Sequence, residues 1–232
     1  MKILEKWSTE TAREYAFRSI KENIISTELA PGSAISENEI AKELGLSRTP
    51  IRESIQELSK AAVIEIYPQR GSYVALIDPA RVEEARFLRG ILDIAVIEVA
   101  CDLATDEGIK KMEDNLALQE FYLQSMSTEK IFALDNEFHK TIYSLAQKDN
   151  IFTMKSTIMI HFDRVRSLTM KTVKDTKIVS DHRLILEAIK NKDKETAKQM
   201  VEKHLNRYNI DEAEIRAAYP DYFIDSPMQD GN

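Results

Sequence analysis

Two sets of side chains stand out for the chemistry their types and spacing allow. Asp135 and His139 lie four residues apart in Leu134-Asp135-Asn136-Glu137-Phe138-His139, so on a helix both leave one face. His182 and His204 flank Asn191-Lys192, which reads as a tight turn. If that turn joins two antiparallel helices, the imidazoles differ in height by about three residues, or ~4.5 Å at the helical rise, and can converge. Three imidazoles and one carboxylate suit a borderline divalent metal such as zinc or nickel. A lone helical histidine is more often a surface or core group; the joint spacing lifts this quartet above that. His161 stands about as far beyond the Lys148-Asp149 turn as His139 stands before it. It is expected as a core or surface residue, with the same cavity as the alternative.

The second set is Ser47-Arg48-Thr49-Pro50-Ile51-Arg52-Glu53. Arg48 and Arg52 are one turn apart and share a face opposite the apolar stripe of Ile51, Ile55 and Leu58. An arginine fork makes two hydrogen bonds to guanine O6 and N7, and a recognition helix presents its first residues to the major groove. The hydroxyls of Ser47 and Thr49, with the unpaired N–H groups of a helix start, can hold phosphate. Arg70-Gly71 occupies the turn of a short hairpin and can reach the adjacent groove. The competing reading of the arginines is a solvated face paired with Glu53 or Glu57.

Proline and glycine mark the elements that must position these groups. Four of the six prolines and three of the six glycines fall in the first 79 residues. Between Ala80 and Tyr219 there is no proline, and the only glycines are Gly90 and Gly108. Proline costs a helix interior ~3 kcal/mol and glycine ~1 kcal/mol, so this stretch predicts helices near 80–104, 106–126, 128–147, 150–172, 175–190 and 193–214. The first part predicts a helix over 9–28 and a second from Ser36 to Gly45, opened by the capping-box pattern Ser36-Glu37-Asn38-Glu39. A third helix is capped by Ser47, and strands follow over 63–67 and 72–76. The fold class expected is mostly α: a winged helix-turn-helix domain over 1–78, then an all-α antiparallel helical bundle over 79–232. The tail from Pro220 is expected to be loosely ordered, with Tyr222 and Phe223 as the residues able to dock.

Overall charge argues against a bulk nucleic-acid binder. The 232 residues carry 32 Lys/Arg against 39 Asp/Glu, a net charge of -7. Residues 1–78 hold 10 basic and 12 acidic side chains, and residues 79–232 hold 22 and 27, so neither part is basic. Any DNA contact must come from a local patch. No stretch approaches the ~20 apolar residues of a membrane span, and residues 1–10 lack the apolar core of a secretory signal. With a single cysteine, Cys101, these features predict a cytoplasmic protein without a disulfide framework.

The run from Leu29 to Glu53, through Ala30-Pro31-Gly32, Ser36-Glu37-Asn38-Glu39-Ile40-Ala41 and Gly45-Leu46-Ser47-Arg48-Thr49-Pro50-Ile51-Arg52-Glu53, strongly resembles the GntR family of bacterial transcription regulators. Arg70-Gly71-Ser72-Tyr73-Val74 resembles that family's wing. The resemblance implies a dimer on a short palindromic operator in double-stranded DNA, with base contacts from Arg48 and Arg52 and a wing contact from Arg70 and Gly71. Position 38, often basic in relatives, is Asn here, which takes the charge from one contact.

Asp135-x-x-x-His139, Asp181-His182 and His204, with Arg89-Gly90-Ile91-Leu92-Asp93, resemble the C-terminal ligand-binding domain of the FadR branch. That resemblance implies a helical bundle whose cavity holds a metal through Asp135, His139, His182 and His204, beside a small carboxylate effector. Arg89 is the candidate carboxylate anchor, with a salt bridge to Asp93 as its equal alternative. The expected function is a ligand-controlled repressor, with homodimer contacts from the apolar helices, in particular residues 91–100. Alternatives are the same regulator with a structural or sensed metal, and a metal-dependent hydrolase, because a three-histidine metal with an open position can activate water. No general base or nucleophile motif accompanies these ligands, so no enzyme activity is expected.

Overall fold

The computed structural model describes residues 1–125, 127–172 and 177–224. Helix α1 (Ala12–Ile25) is opened by a complete capping box, Thr11 and Glu14 each bonding the other's backbone N–H. It is shorter at both ends than the expected 9–28. A two-residue strand β1 (Ala34–Ile35) follows, which the sequence did not announce. Helices α2 (Glu37–Leu44) and α3 (Arg48–Lys60) are separated by Gly45 at φ 65, a left-handed residue for which glycine is suited. The box expected at Ser36 forms by half: its hydroxyl accepts from the Glu39 N–H at 3.3 Å. Ser47 stands at the N-cap of α3, but its side chain makes no capping bond.

Strands β2 (Ile64–Tyr67) and β3 (Gly71–Val74) form the wing, with β3 between β1 and β2 in an antiparallel sheet. Register pairs Ile64 with Val74 and Tyr67 with Gly71. Gln69 and Gly71 take positive φ to close the turn, at 62° and 98°.

The helical part begins at α4 (Pro79–Leu103), where Asp78 caps and proline occupies the first turn, where its missing N–H costs nothing. It continues through α5 (Asp106–Gln124), α6 (Thr128–Leu145), α7 (Asp149–Thr172), α8 (Lys177–Lys190) and α9 (Lys194–Asn206). The tight turns expected before α7 and α9 are closed by Gln147 and Lys192 in left-handed geometry, φ 58 and 56. A single helix over 193–214 was expected; instead the chain breaks near Arg207 and resumes as α10 (Tyr208–Ala218). The start expected at 175 lies outside the described residues.

The tail is better ordered than expected as far as Ile224. Phe223 is buried, and Ile77 donates to Tyr222 and accepts from Ile224 at 2.8 and 3.1 Å, so the tail straps the joint between the two parts. Two apolar cores result, one around Ile20, Ile51 and Leu58, the other around Ile97, Phe138 and Val165. Helix α7 serves both, because its Ile160 is buried in the first core. Its Arg164 is fully buried and donates to the Ala75 carbonyl at 2.6 Å. No described helix is long and apolar enough to cross a membrane.

Candidate functional site

The residues singled out for base contact are all exposed. Ser47, Arg48, Thr49 and Arg52 are exposed at the start of α3, and Arg70 and Gly71 are exposed at the wing tip. The apolar stripe of Ile51, Ile55 and Leu58 faces the core, which turns the arginine face outward. The arginines do not pair with Glu53 or Glu57. Both converge on Glu37 at the start of α2: Arg48 donates at 3.2 Å and Arg52 through Nε and Nη2 at 3.3 and 3.2 Å. Arg52 leads in holding the Glu37 carboxyl below its ordinary range. Nothing in the local sequence of α3 announces this acid, since it comes from the preceding helix. Asn38 is exposed beside it.

The second set converges as the spacing required. Asp135 and His139 come from α6, His182 from α8 and His204 from α9, and one ligand atom of each lies within 4.8 Å of all the others. His139 Nε2 and His204 Nε2 are 3.2 Å apart, and His182 Nε2 is 3.3 Å from an Asp135 oxygen. Burial holds both His139 and His204 far below the usual imidazole range, the latter at about 3, so both are neutral and offer lone pairs. Burial alone would raise Asp135, but Arg166 and the imidazoles outweigh it and keep it ionised. His182 Nε2 and His204 Nδ1 are buried without a hydrogen-bond partner among the described residues. Asp135 offers an ionised carboxylate and each imidazole one lone pair within a single buried cluster, a donor set that fits a divalent metal.

A relay that sequence reading missed aims His182. The Leu134 carbonyl can only accept, and Asn115 Nδ2 donates to it at 3.1 Å. Asn115 Oδ1 then accepts from Gln119 Nε2 at 2.6 Å, which leaves Gln119 Oε1 to accept from His182 Nδ1 at 2.9 Å. The proton of His182 therefore sits on Nδ1, and Nε2 presents its lone pair to the cluster. Phe138 stacks on the same ring at 4.4 Å. Replacing Gln119 by leucine is expected to weaken metal binding roughly 10–100-fold, the usual cost of losing such a partner, with the fold retained. Competition against a chromogenic chelator measures it; unchanged affinity would remove the relay from the site.

Arg89 makes the salt bridge with Asp93, the second of its two alternatives, and it also faces a cavity. Its Nε bonds Asp93 at 2.9 Å, and the cavity, of about 220 Å³, is lined by His139, Lys155 and Arg166 as well. Asp93 is shared: Lys155 donates to it at 2.8 Å and the Tyr143 hydroxyl at 2.6 Å. Burial would raise Asp93, but Arg89 and Lys155 together hold its carboxyl far below normal. Two buried cations thus share one buried acid. Lys155 and Tyr143 carry no sequence signal, because they meet Asp93 only across packed helices. His161 does not join the cluster; its Nε2 lies 2.8 Å from the Ala61 carbonyl at the end of α3.

Of residues 91–100, Val96, Ile97 and Ala100 are buried in the chain's own core, while Ile91 is exposed. Phe87, one turn before Ile91 on α4, is exposed too, as are Met154 and Ile158 on α7. Helices α4 and α7 meet there, Glu84 lining one hollow with Ile158.

Comparison with known proteins agrees with this architecture. Residues 12–74 match the bacterial regulatory proteins of the gntR family, and residues 84–207 match the FCD domain. The chain is 32% identical over 214 residues to an HTH-type transcriptional regulator of Streptomyces ambofaciens, covering 92% of this chain and 90% of that protein. It is 28% identical to the HTH-type transcriptional repressor RspR of Escherichia coli, covering 93% and 95%. Among solved structures, E. coli McbR/YncC shares the fold with a TM-score of 0.79 at 18% identity, over 91% of this chain and all of that one. These relatives are regulators and not enzymes, which sets the hydrolase reading aside. The chain belongs to the GntR family, in the FadR-like branch with an FCD domain, and is a DNA-binding transcription regulator.

Proposed function

We propose that this regulator is a repressor whose operator affinity falls when a small carboxylate binds beside a divalent metal in the helical domain. Arg48 and Arg52 read bases, Ser47 and Thr49 hold phosphate, and Arg70 and Gly71 reach the neighbouring groove. Asp135, His139, His182 and His204 hold the metal, zinc or nickel, which when bound supplies a Lewis-acidic position for the acid. The observation that carries the effector reading is that Arg89 and Lys155, both buried and both paired with the one acid Asp93, line a cavity beside His139. With a divalent ion on the neighbouring ligands, positive charge around this cavity exceeds negative, which is costly until an anion enters. Repressor names among the relatives support the direction of control.

The protein acts as a homodimer in this reading, because a palindromic operator needs two recognition helices related by a twofold axis. Phe87 and Ile91 on α4 and Met154 and Ile158 on α7 are exposed apolar side chains available for that contact.

The test is fluorescence anisotropy on an operator selected from random duplexes, with metal-loaded and chelated protein in parallel. Short carboxylates are expected to release DNA from the loaded protein alone. If chelation lowers stability and no acid releases DNA, the metal is structural or is itself the signal, and the effector reading fails.

A further inference from the structure

The cavity at Arg89 is not closed by the helical domain alone. One wall is Lys21, Glu22 and Ile25 of α1, in the DNA-reading domain, facing Arg89, Lys155 and Arg166. The space continues past Glu22, Ile25 and Asn136, residues it shares with a second hollow of about 330 Å³ between the two domains. An occupant seated at Arg89 therefore lies in the same chamber as α1.

Charge indicates what kind of occupant. The basic groups in and behind this chamber are Lys21, Arg89, Lys155 and Arg166; the acidic ones are Glu22, Asp93, Asp135 and Asp163. Four face four, so a divalent ion on the histidine cluster leaves two positive charges over. Uncompensated charge is costly in a partly dehydrated space, and an occupant with two negative charges balances it where a monoacid cannot. Lys21 is poorly matched at present. Its recorded partner is the adjacent Glu22 at 3.4 Å, and consecutive helical residues do not face one another. Its side chain is only 20% exposed, so it is held against the chamber and not spread in solvent.

We propose that the effector is a short dicarboxylate that bridges the domains, one carboxylate at Arg89 and Lys155 and the other on Lys21 of α1. This rests on the carboxylate reading above and adds its valence and its second anchor. The bridge acts directly on the DNA-reading part. Helix α1 is tied to the recognition helix by Arg13–Glu57 at 2.8 Å and by Ser54 donating to the Arg13 carbonyl at 3.3 Å. A ligand that pulls Lys21 toward the bundle moves α1 and α3 together.

The experiment is isothermal titration of the full-length, zinc-loaded protein with succinate, glutarate and adipate, each against the monoacid of equal length. At least one diacid is expected to bind roughly ten-fold or more tightly than its monoacid, the worth of one charge-assisted hydrogen bond. Lys21→Met keeps the stem and loses the charge; it should erase most of that advantage, weakening diacid binding far more than monoacid binding. Lys21→Arg should preserve the advantage. If monoacids bind as well as diacids, or Lys21→Met retains the full preference, the bridge is wrong and the carboxylate reading stands. If no acid binds the loaded protein, the carboxylate reading itself falls, and the bridge with it.

Discussion

Replacing Arg48 or Arg52 with alanine is expected to cut the preference for operator over unrelated duplex by roughly ten-fold or more while leaving the melting temperature unchanged. A bidentate arginine–guanine pair is worth about 1–3 kcal/mol of discrimination against the wrong base. Each lost pair therefore costs roughly ten- to a hundred-fold in operator preference. The fold should not notice. Both side chains are exposed, 58% and 57%, and their ion pairs to Glu37 lie at the surface, where such pairs contribute about 0–1 kcal/mol. Glu37 keeps the two forks side by side in the absence of DNA, so what the substitution removes is a prearranged pair. Anisotropy with operator and with scrambled duplex, each at fixed salt, measures the preference. An alanine variant that folds normally and keeps the full wild-type preference would place the base contacts elsewhere on the domain.

The second large effect is expected at the histidine cluster. His182→Ala should drop bound metal from about one per chain to well below it, read by elemental analysis after dialysis. The same variant should lose the chelator-dependent part of its thermal stability. A ligand at a hundred times its Kd adds about 2.7 kcal/mol, and for a domain of this size that is roughly 5–10 °C in Tm. Truncating a fully buried ring stacked on Phe138 also leaves a cavity, so the absolute Tm falls for two reasons. The difference between loaded and chelated samples separates them: it should vanish in the variant and persist in the wild type. Full metal occupancy in His182→Ala would dissolve the assigned ligand set, because the remaining Asp135, His139 and His204 would then suffice.

Much of this organisation was legible along the chain. The crowding of proline and glycine before Asp78 and their absence afterwards marked where turns end and long helices begin. Asp135 and His139 at helical spacing, and His182 and His204 almost equidistant from a tight turn, are enough to bring four ligands together once the helices are antiparallel. Local signals failed where no residue type marks the event. The break near Arg207 has no proline or glycine near it, and β1 is two residues long because it exists only by pairing with β3.

What the sequence by itself determined is therefore the set of elements, the face each presents, and the identity of the arginines and metal-type ligands, because periodicity and backbone preference act over a few residues. Tertiary structure alone decided which groups face those ligands. Glu37 reaches the arginines from the preceding helix, Gln119 aims His182 from α5, Asp93 binds Lys155 across 62 positions, and Lys21 enters the cavity from the other domain. These partnerships depend on how helices pack across long loops of chain, and a buried charge or imidazole takes its properties from the neighbours that packing supplies and not from its neighbours in sequence.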